Sequence, residues 1–296
     1  MNRQRTGSGR VRVRGTTRVV ILMGDPVSHS LSPQMQNAAF AAEGVDYCYV
    51  PCRVGPSELR SAVRAIATLG LVGANVTIPY KERVVSYLDD VTPEATLIGA
   101  VNTIVSRKGR LVGHNTDAPG FLRAFQEDTG ISIRGGRFFV VGAGGSARAI
   151  VAAVALGGAR GVTIANRTLA NARRLVARFR RVFPRVEWDV TGWNPRAWPS
   201  SLAFRGLIQT TPLGMSPTDP SPVPKGWLHP SLAVYDVVYH IDSGRSTALL
   251  RDARAVGAPY ANGLGMLVHQ GALAWSLWTG RRAPIDVMRR AVRLQP

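Results

Sequence analysis

The stretch "RFFVVGAGGSARAIVAAVALGG", residues 137–158, decides how the rest of the chain is read. A short apolar run of strand character leads into Gly142, Ala143, Gly144, Gly145, Ser146 and Ala147, and an alanine-rich helical segment follows. Such a G-x-G-x-x-A turn lets the backbone fold tightly and approach a pyrophosphate, which then rests on free amides at the positive end of the helix. The motif alone is a weak signal, but between a strand and a helix it becomes informative. The next strand, "GVTIAN" (161–166), ends without the carboxylate that would hold the ribose 2′-hydroxyl of NAD. Asn166, Arg167 and Thr168 stand there instead, and a guanidinium beside a hydroxyl suits the 2′-phosphate of NADP. The alternative is that Arg167 is one more solvated arginine in an arginine-rich chain.

Outward from this turn, strand-like runs alternate with helical stretches, which argues a mostly parallel sheet with helices on its faces. Upstream, "RVVILMG" (18–24), "VDYCYVPC" (45–52) and "LVGANVT" (71–77) read as strands, with helices over "SPQMQNAAFAAEG" (32–44) and "PSELRSAVRAIATLG" (56–70). Ser32 is the expected N-cap of the first of these helices. "YKERVVSYLDD" (80–90) reads as a helix and "AVNTIVSRKGRLVGHNTD" (100–117) as a hairpin turning at Lys108-Gly109. A helix over "APGFLRAFQEDTG" (118–130) is long enough to connect two lobes, and the apolar "GMLVHQGALAWSLWTGRRA" (265–283) reads as a core helix.

The segment "NVTIPYK" (75–81) stands out. Pro79 ends a ladder, because proline has no backbone donor, and Lys81 then lies outside the carboxyl end of a strand, where ligands bind in open α/β sheets. The chain has 37 basic residues, of which only Lys81, Lys108 and Lys225 are lysine. Arginine does not exchange protons near neutral pH and lysine does, so Lys81 is a candidate proton donor. The rival reading is a chance surface lysine.

The formal net charge of +19 is compatible with an anionic small-molecule substrate or with nucleic acid. No aromatic-and-basic platform accompanies it, so the small molecule is the expected partner, and neither nucleic acid nor a membrane is. Residues 1–18 hold six arginines and no acid and read as a disordered basic tail. No run reaches the ~20 apolar residues of a membrane span, and no secretory signal is recognisable. Cys48 and Cys52 lack zinc spacing, and the five histidines are scattered, so no metal is expected. The expected location is cytoplasmic. A homodimer is compatible with the sequence.

Taken together, "GDPVSHSLSP" (24–33), "ANVTIPYK" (74–81), "GAVNT" (99–103), "GHNTD" (113–117), "VVGAGGSARA" (140–149), "ANRT" (165–168), "YDVVY" (235–239) and "NGLGMLVHQ" (262–270) resemble the shikimate dehydrogenase family in content and order. The resemblance implies NADPH-dependent, reversible reduction of 3-dehydroshikimate to shikimate, in aromatic amino-acid and chorismate biosynthesis. Lys81 and Asp117 match the family's catalytic pair. Ser30, Ser32, Asn75, Thr77, Asn102, Tyr239 and Gln270 match its substrate-binding positions, and Gly142 to Ala147, Asn166 to Thr168 and Gly263 its NADP site. The implied fold is α/β in two domains, an N-terminal substrate domain with a mostly parallel sheet and a Rossmann-type dinucleotide-binding domain. The expected division is a tail at 1–18, the substrate domain at 19–117, the NADP domain at 118–262, and C-terminal helices, 263–296, packing back on the substrate domain. Departures from the family pattern occur at Gln36, Gln209, Asn171 and the loop 239–247. A quinate or aminoshikimate dehydrogenase on the same scaffold, preferring NAD, is the competing assignment. Ser30 and Ser32 favour shikimate.

Overall fold

A computed structural model describes residues 13–240 and 246–293. The first sheet contains β1 (Arg18–Gly24), β2 (Tyr47–Arg53), β3 (Gly73–Val76), β4 (Asp90–Val91), β5 (Thr103–Arg107) and β6 (Arg110–His114), in the order β2-β1-β3-β5-β6-β4. Three helices belong to this part of the chain, α1 (Ser32–Ala42), α2 (Leu59–Thr68) and α3 (Pro93–Ile98). β1 pairs in parallel with β2 and β3, and β4 with β6, while the β5–β6 hairpin runs antiparallel and joins β3. The hairpin turns at Lys108 and Gly109, both with positive φ (51° and 80°), a turn whose twist matches the flanking strands.

α4 (Asp117–Thr129) leads from this sheet to a second one. Its members are β7 (Arg137–Val141), β8 (Gly161–Ala165), β9 (Glu187–Thr191), β10 (Gly206–Gln209), β11 (Ala233–Asp236) and β12 (Tyr260–Asn262), in the order β12-β11-β10-β7-β8-β9. All five pairings are parallel. The helices α5 (Gly145–Leu156), α6 (Leu169–Val182) and α7 (Ala248–Ala255) belong to it. The order reverses between β7 and β10, which is the doubly wound dinucleotide-binding arrangement with its crevice at that switch point.

The chain then returns through α8 (Leu264–Thr279) and α9 (Ile285–Arg293) to the first sheet. Trp275 stacks on Phe40 at 6.0 Å, the Trp278 indole N–H donates to the Ile104 carbonyl at 3.0 Å, and Met288 and Val292 complete the same core. Glycines let α8 approach its neighbours closely. A Cβ on Gly271 would lie 2.2 Å from Met35 Cε, and one on Gly120 of α4 would lie 2.7 Å from the Gln270 amide nitrogen.

Three local expectations change. The segment 80–90 is not an α-helix: Arg83–Tyr87 forms a 3-10 turn, and Asp90–Val91 is β4. The β-branched pair Val84-Val85 disfavours a helix, and Asp89 is drawn to β6 by exchanging bonds with Leu111, its carboxylate accepting the Leu111 N–H at 2.7 Å. Ser32 is the first helical residue of α1 rather than its N-cap, because the Ser30 hydroxyl accepts the Ser32 N–H at 3.2 Å. The tail expected to be unstructured through residue 18 is anchored before that point. The Thr16 and Thr17 hydroxyls donate to Asp46 at 2.6 Å, and Arg18 opens β1. Residues 1–12 of that tail lie outside the described residues.

Candidate active site

β3 ends at Val76, and Pro79 carries the chain out of the sheet, so Lys81 lies beyond the carboxyl end of β3, where the next residue, Glu82, meets the second lobe. Its Nζ lies 2.7 Å from Asp117 Oδ2, with the two side chains only 14% and 6% exposed. Asp117 occupies the first turn of α4, where the positive end of the helix favours a carboxylate. Its other oxygen, Oδ1, accepts from Asn102 Nδ2 at 2.9 Å. The Lys81 carbonyl accepts the Val101 N–H at 2.8 Å, which fixes the backbone beneath the amine.

From this pair a hydrogen-bonded chain runs across the cleft floor. Asn102 Nδ2 also reaches Thr116 Oγ1 at 2.9 Å and Gln270 Oε1 at 3.4 Å. Asn75 Nδ2 donates to the Asn102 carbonyl and to Thr103 Oγ1, both at 3.0 Å. Asn75 Oδ1 accepts from the Tyr49 hydroxyl at 2.8 Å, and Ser32 lies beside the same hydroxyl. Burial pushes the Tyr49 phenol well above its ordinary pKa, so it stays a donor. The structure thus brings together Ser30, Ser32, Asn75, Lys81, Asn102, Asp117 and Gln270.

Two expected residues stand apart from the network. Thr77 turns its methyl to Gly24, where an added Cβ would be 2.2 Å away. Tyr239 is half-buried against the apolar cluster that includes Leu264, Leu267 and Val268. It reaches the first lobe from the loop after β11, so its ring bridges the two sheets. Tyr49 and Thr116 were missed. Asn37 on α1 clamps the Tyr49 backbone, donating to its carbonyl at 3.0 Å and accepting its N–H at 2.8 Å. Thr116 lies inside the "GHNTD" motif and carried the one available signal, adjacency to Asp117. Gln36 and Gln209 prove to be buried tethers: Gln36 Nε2 donates to the Gly271 carbonyl at 3.0 Å, and Gln209 Nε2 donates to those of Thr211 and Leu213.

The glycine turn lies where β7 gives way to α5. Gly142 has φ +110°, and a Cβ there would meet Thr210 Oγ1 at 2.4 Å, so only glycine fits. Gly144 and Gly145 face open space on the side where their Cβ atoms would lie. Gly144 is the N-cap of α5 and no side chain caps the helix, which leaves its first amides free for an anion. This geometry fits a pyrophosphate. Beyond β8, Arg167 and Thr168 are exposed, Thr168 makes no cap bond to α6, and Asn166 Nδ2 holds the Thr168 carbonyl at 2.8 Å. Arg174 is committed to Asn171. Gly263 is glycine for packing, since a Cβ would lie 2.1 Å from the Val237 carbonyl oxygen.

β11 ends in Asp236, a fully buried carboxyl that accepts the Thr247 hydroxyl at 2.7 Å and the Val238 N–H at 3.0 Å. Burial raises its pKa from 3.8 to about 6 despite these bonds. The folded state therefore holds this proton more tightly than the unfolded chain. The associated stabilisation is complete below about pH 4 and is lost as pH rises through about 6. Asp236→Asn removes that titration, so the Tm of the wild type minus that of the variant is expected to fall between pH 4 and pH 7. A difference constant across that window contradicts the assignment.

A doubly wound sheet with a free helix terminus, joined to a second sheet that carries a lysine–carboxylate pair, defines a two-lobed dehydrogenase of the dinucleotide-binding α/β class. Models of the shikimate dehydrogenase substrate binding domain, of shikimate / quinate 5-dehydrogenase and of the shikimate 5'-dehydrogenase C-terminal domain match residues 22–104, 125–187 and 263–293. The chain is 47% identical over 281 residues to the shikimate dehydrogenase (NADP(+)) of Symbiobacterium thermophilum, covering 94% of each. It belongs to the shikimate dehydrogenase family. Among solved structures, a shikimate dehydrogenase in complex with NADP+ superposes with a TM-score of 0.88 at 36% identity, covering 97% of this chain and 98% of that one. A shikimate 5-dehydrogenase from Listeria monocytogenes in complex with shikimate and NAD gives 0.86 at 35%, covering 94% and 97%.

Proposed function

We propose that this chain catalyses the reversible reduction of 3-dehydroshikimate to shikimate with NADPH. The observation that carries the reading is the Lys81–Asp117 pair at 2.7 Å, set in a wall of amides and hydroxyls. NADPH supplies the hydride that reaches the carbonyl carbon. Charge then builds on the carbonyl oxygen, and the Lys81 ammonium neutralises it and gives it a proton. Both Asp117 oxygens are already engaged, by Lys81 and by Asn102, so Asp117 orients the amine. In the oxidation direction the Lys81 amine takes the proton back.

A ring acid bearing several hydroxyls needs donors for its carboxylate and mixed donors and acceptors for its diol. Ser30, Ser32 and the Tyr49 phenol serve the carboxylate end. Asn75, Thr77, Asn102 and Gln270 serve the hydroxyls, and Tyr239 closes over the ring from the second lobe. Gly142, Ala143, Gly144, Gly145, Ser146 and Ala147 cradle the pyrophosphate of NADP. Asn166, Arg167 and Thr168 hold its 2′-phosphate, and Gly263 lies near the nicotinamide end. The division proposed is a substrate domain over 19–117, an NADP domain over 118–262 and returning helices from 263. A cytoplasmic location is part of this proposal and follows from the biosynthetic role of the family. Among the described residues no helix is long and apolar enough to cross a membrane, and Cys48 and Cys52 are free thiols. A homodimer is the assembly to test by light scattering.

The test is kcat/KM for shikimate and for quinate, each with NADP+ and NAD+. The highest value is expected for shikimate with NADP+, and a preference for quinate with NAD+ overturns the proposal. Arg167→Asp is expected to lower kcat/KM for NADP+ by about 10-fold, the loss of roughly one charge-assisted hydrogen bond, without a matching fall for NAD+. Equal falls with both cofactors would remove Arg167 from the 2′-phosphate site.

A further inference from the structure

Two arginines of the second lobe reach across to the first, one to the segment that carries Lys81 and one to α3, and neither belongs to the binding or proton-transfer set above. Arg148 lies in the first turn of α5, and its Nη2 donates to Glu82 Oε2 at 2.6 Å. Glu82 is the residue after Lys81. The Arg148 side chain is 20% exposed, and its Nε is buried without a partner among the described residues, so this guanidinium is enclosed rather than solvated.

Arg178, on α6, donates through Nη2 to the carbonyls of Thr96 at 2.8 Å and Leu97 at 3.2 Å. These are among the last carbonyls of α3, groups that lack helical partners and attract a cation. Gly99 makes the approach feasible, since a Cβ there would lie 2.5 Å from Arg178 Nη2. Burial and the neighbouring Arg148 push the Arg178 guanidinium pKa down while Glu82 pushes it up, so the three side chains form one electrostatic cluster. The two gripped points are also joined to each other. Val101, two residues after Gly99, donates its N–H to the Lys81 carbonyl at 2.8 Å, and Asn102 follows it in the active-site network.

We propose that Arg148 and Arg178 form a two-point clasp that holds the Lys81 segment against the nucleotide-binding lobe, with Arg148 acting through Glu82 as a positioning residue for hydride and proton transfer. The inference rests on the reading of Lys81 as the proton donor. One end of the Arg148–Glu82 pair sits in the first turn of the helix that receives the pyrophosphate, and the other sits one residue from the reacting amine. The pair therefore sets the spacing of cofactor and donor. Glu82 is half-exposed, so water screens its end of the pair and the contribution to stability is small, but a misplacement of about 1 Å at a reacting centre costs on the order of 10²-fold in rate.

The test compares Arg148→Met, Glu82→Gln and the double variant. Each single change is expected to lower kcat by about 10-fold, part of the penalty for misplacement, with Tm and the NADPH Kd little changed. The double variant is expected to be no slower than the slower single variant, because both remove one interaction. Multiplied single effects overturn the clasp. So does a large rise in NADPH Kd in Arg148→Met with Glu82→Gln silent, which makes Arg148 a phosphate ligand. A readout independent of Lys81 is small-angle scattering of the NADP+-bound protein. The radius of gyration is expected to increase in an Arg148→Met/Arg178→Met variant, and an unchanged value overturns the clasp. If Lys81→Ala keeps full activity, the catalytic reading fails while the scattering result still judges the clasp.

Discussion

Lys81→Ala is expected to lower kcat for shikimate oxidation by about 10³-fold, within the ~10²–10⁴ that a positioned proton donor supplies, while NADP+ binding stays close to that of the wild type. The amine is the cation held by Asp117 at the cleft floor, and its Nζ is within 2.7 Å of a carboxylate that is itself fixed by Asn102. Removing it takes away both the proton and the charge that offsets the developing alkoxide. It also leaves the Asp117 carboxylate, 6% exposed, without its ion-pair partner. An unpaired buried charge destabilises a fold, so a fall in Tm is expected alongside the fall in rate. Lys81→Ala with Asp117→Asn separates the two effects. The double variant is expected to recover most of the lost Tm and none of the lost rate. A Lys81→Ala enzyme of undiminished kcat would refute the mechanism.

Gly120→Val is expected to reduce kcat/KM for shikimate by about 10²-fold, the scale of a misplacement near 1 Å, although residue 120 is none of the proposed binding residues. A Cβ at Gly120 would lie 2.7, 2.8 and 2.9 Å from the Gln270 amide nitrogen, Cβ and Cα. Two of those atoms are backbone, so a side-chain rotation cannot relieve the clash and α8 must move away from α4. Asp117 lies one turn before Gly120 on α4, and Gln270 reaches Asn102 at only 3.4 Å. The wedge therefore opens the network at its Gln270 end. Overpacking also costs about 1–3 kcal/mol of stability, read as a lower urea midpoint. A variant with wild-type kcat/KM would show that the α4–α8 approach does not position Gln270.

Much of this is legible in the sequence, and the reason differs from place to place. The glycine turn at 142–147 and the Lys108-Gly109 hairpin impose backbone conformations that few other residues tolerate, so their signals are local. Lys81 was conspicuous because arginine fills most other basic positions. The segment 80–90 misled because its apolar spacing permits a helix, while the deciding contact, Asp89 with Leu111, comes from a strand more than twenty residues on. Tyr49 was invisible for a similar reason. Strand alternation puts Tyr47 and Tyr49 on one face, and choosing between them requires Asn37, which clamps only the second. Arg148 lies in the glycine-turn motif and Glu82 directly follows "ANVTIPYK", but their pairing joins two lobes across 66 positions of sequence. Local patterns carry no information about a contact at that range.

The chain leaves the first sheet through α4 and comes back through α8, and these helices lie against each other along their length. At the far end of α4, a Cβ on Gly265 would lie 2.1 Å from Asp128 Oδ2, so the way into the second sheet and the way out of it are side by side. A unit that begins and ends at one spot behaves as a cassette. It is open to exchange for another of the same fold without rethreading the part that holds Lys81. Ring recognition and nucleotide preference then become separable traits, provided that an exchanged half keeps arginines to meet Glu82 and the end of α3. The seam between α4 and α8 is the natural place to splice in a nucleotide-binding half from an NAD-using relative.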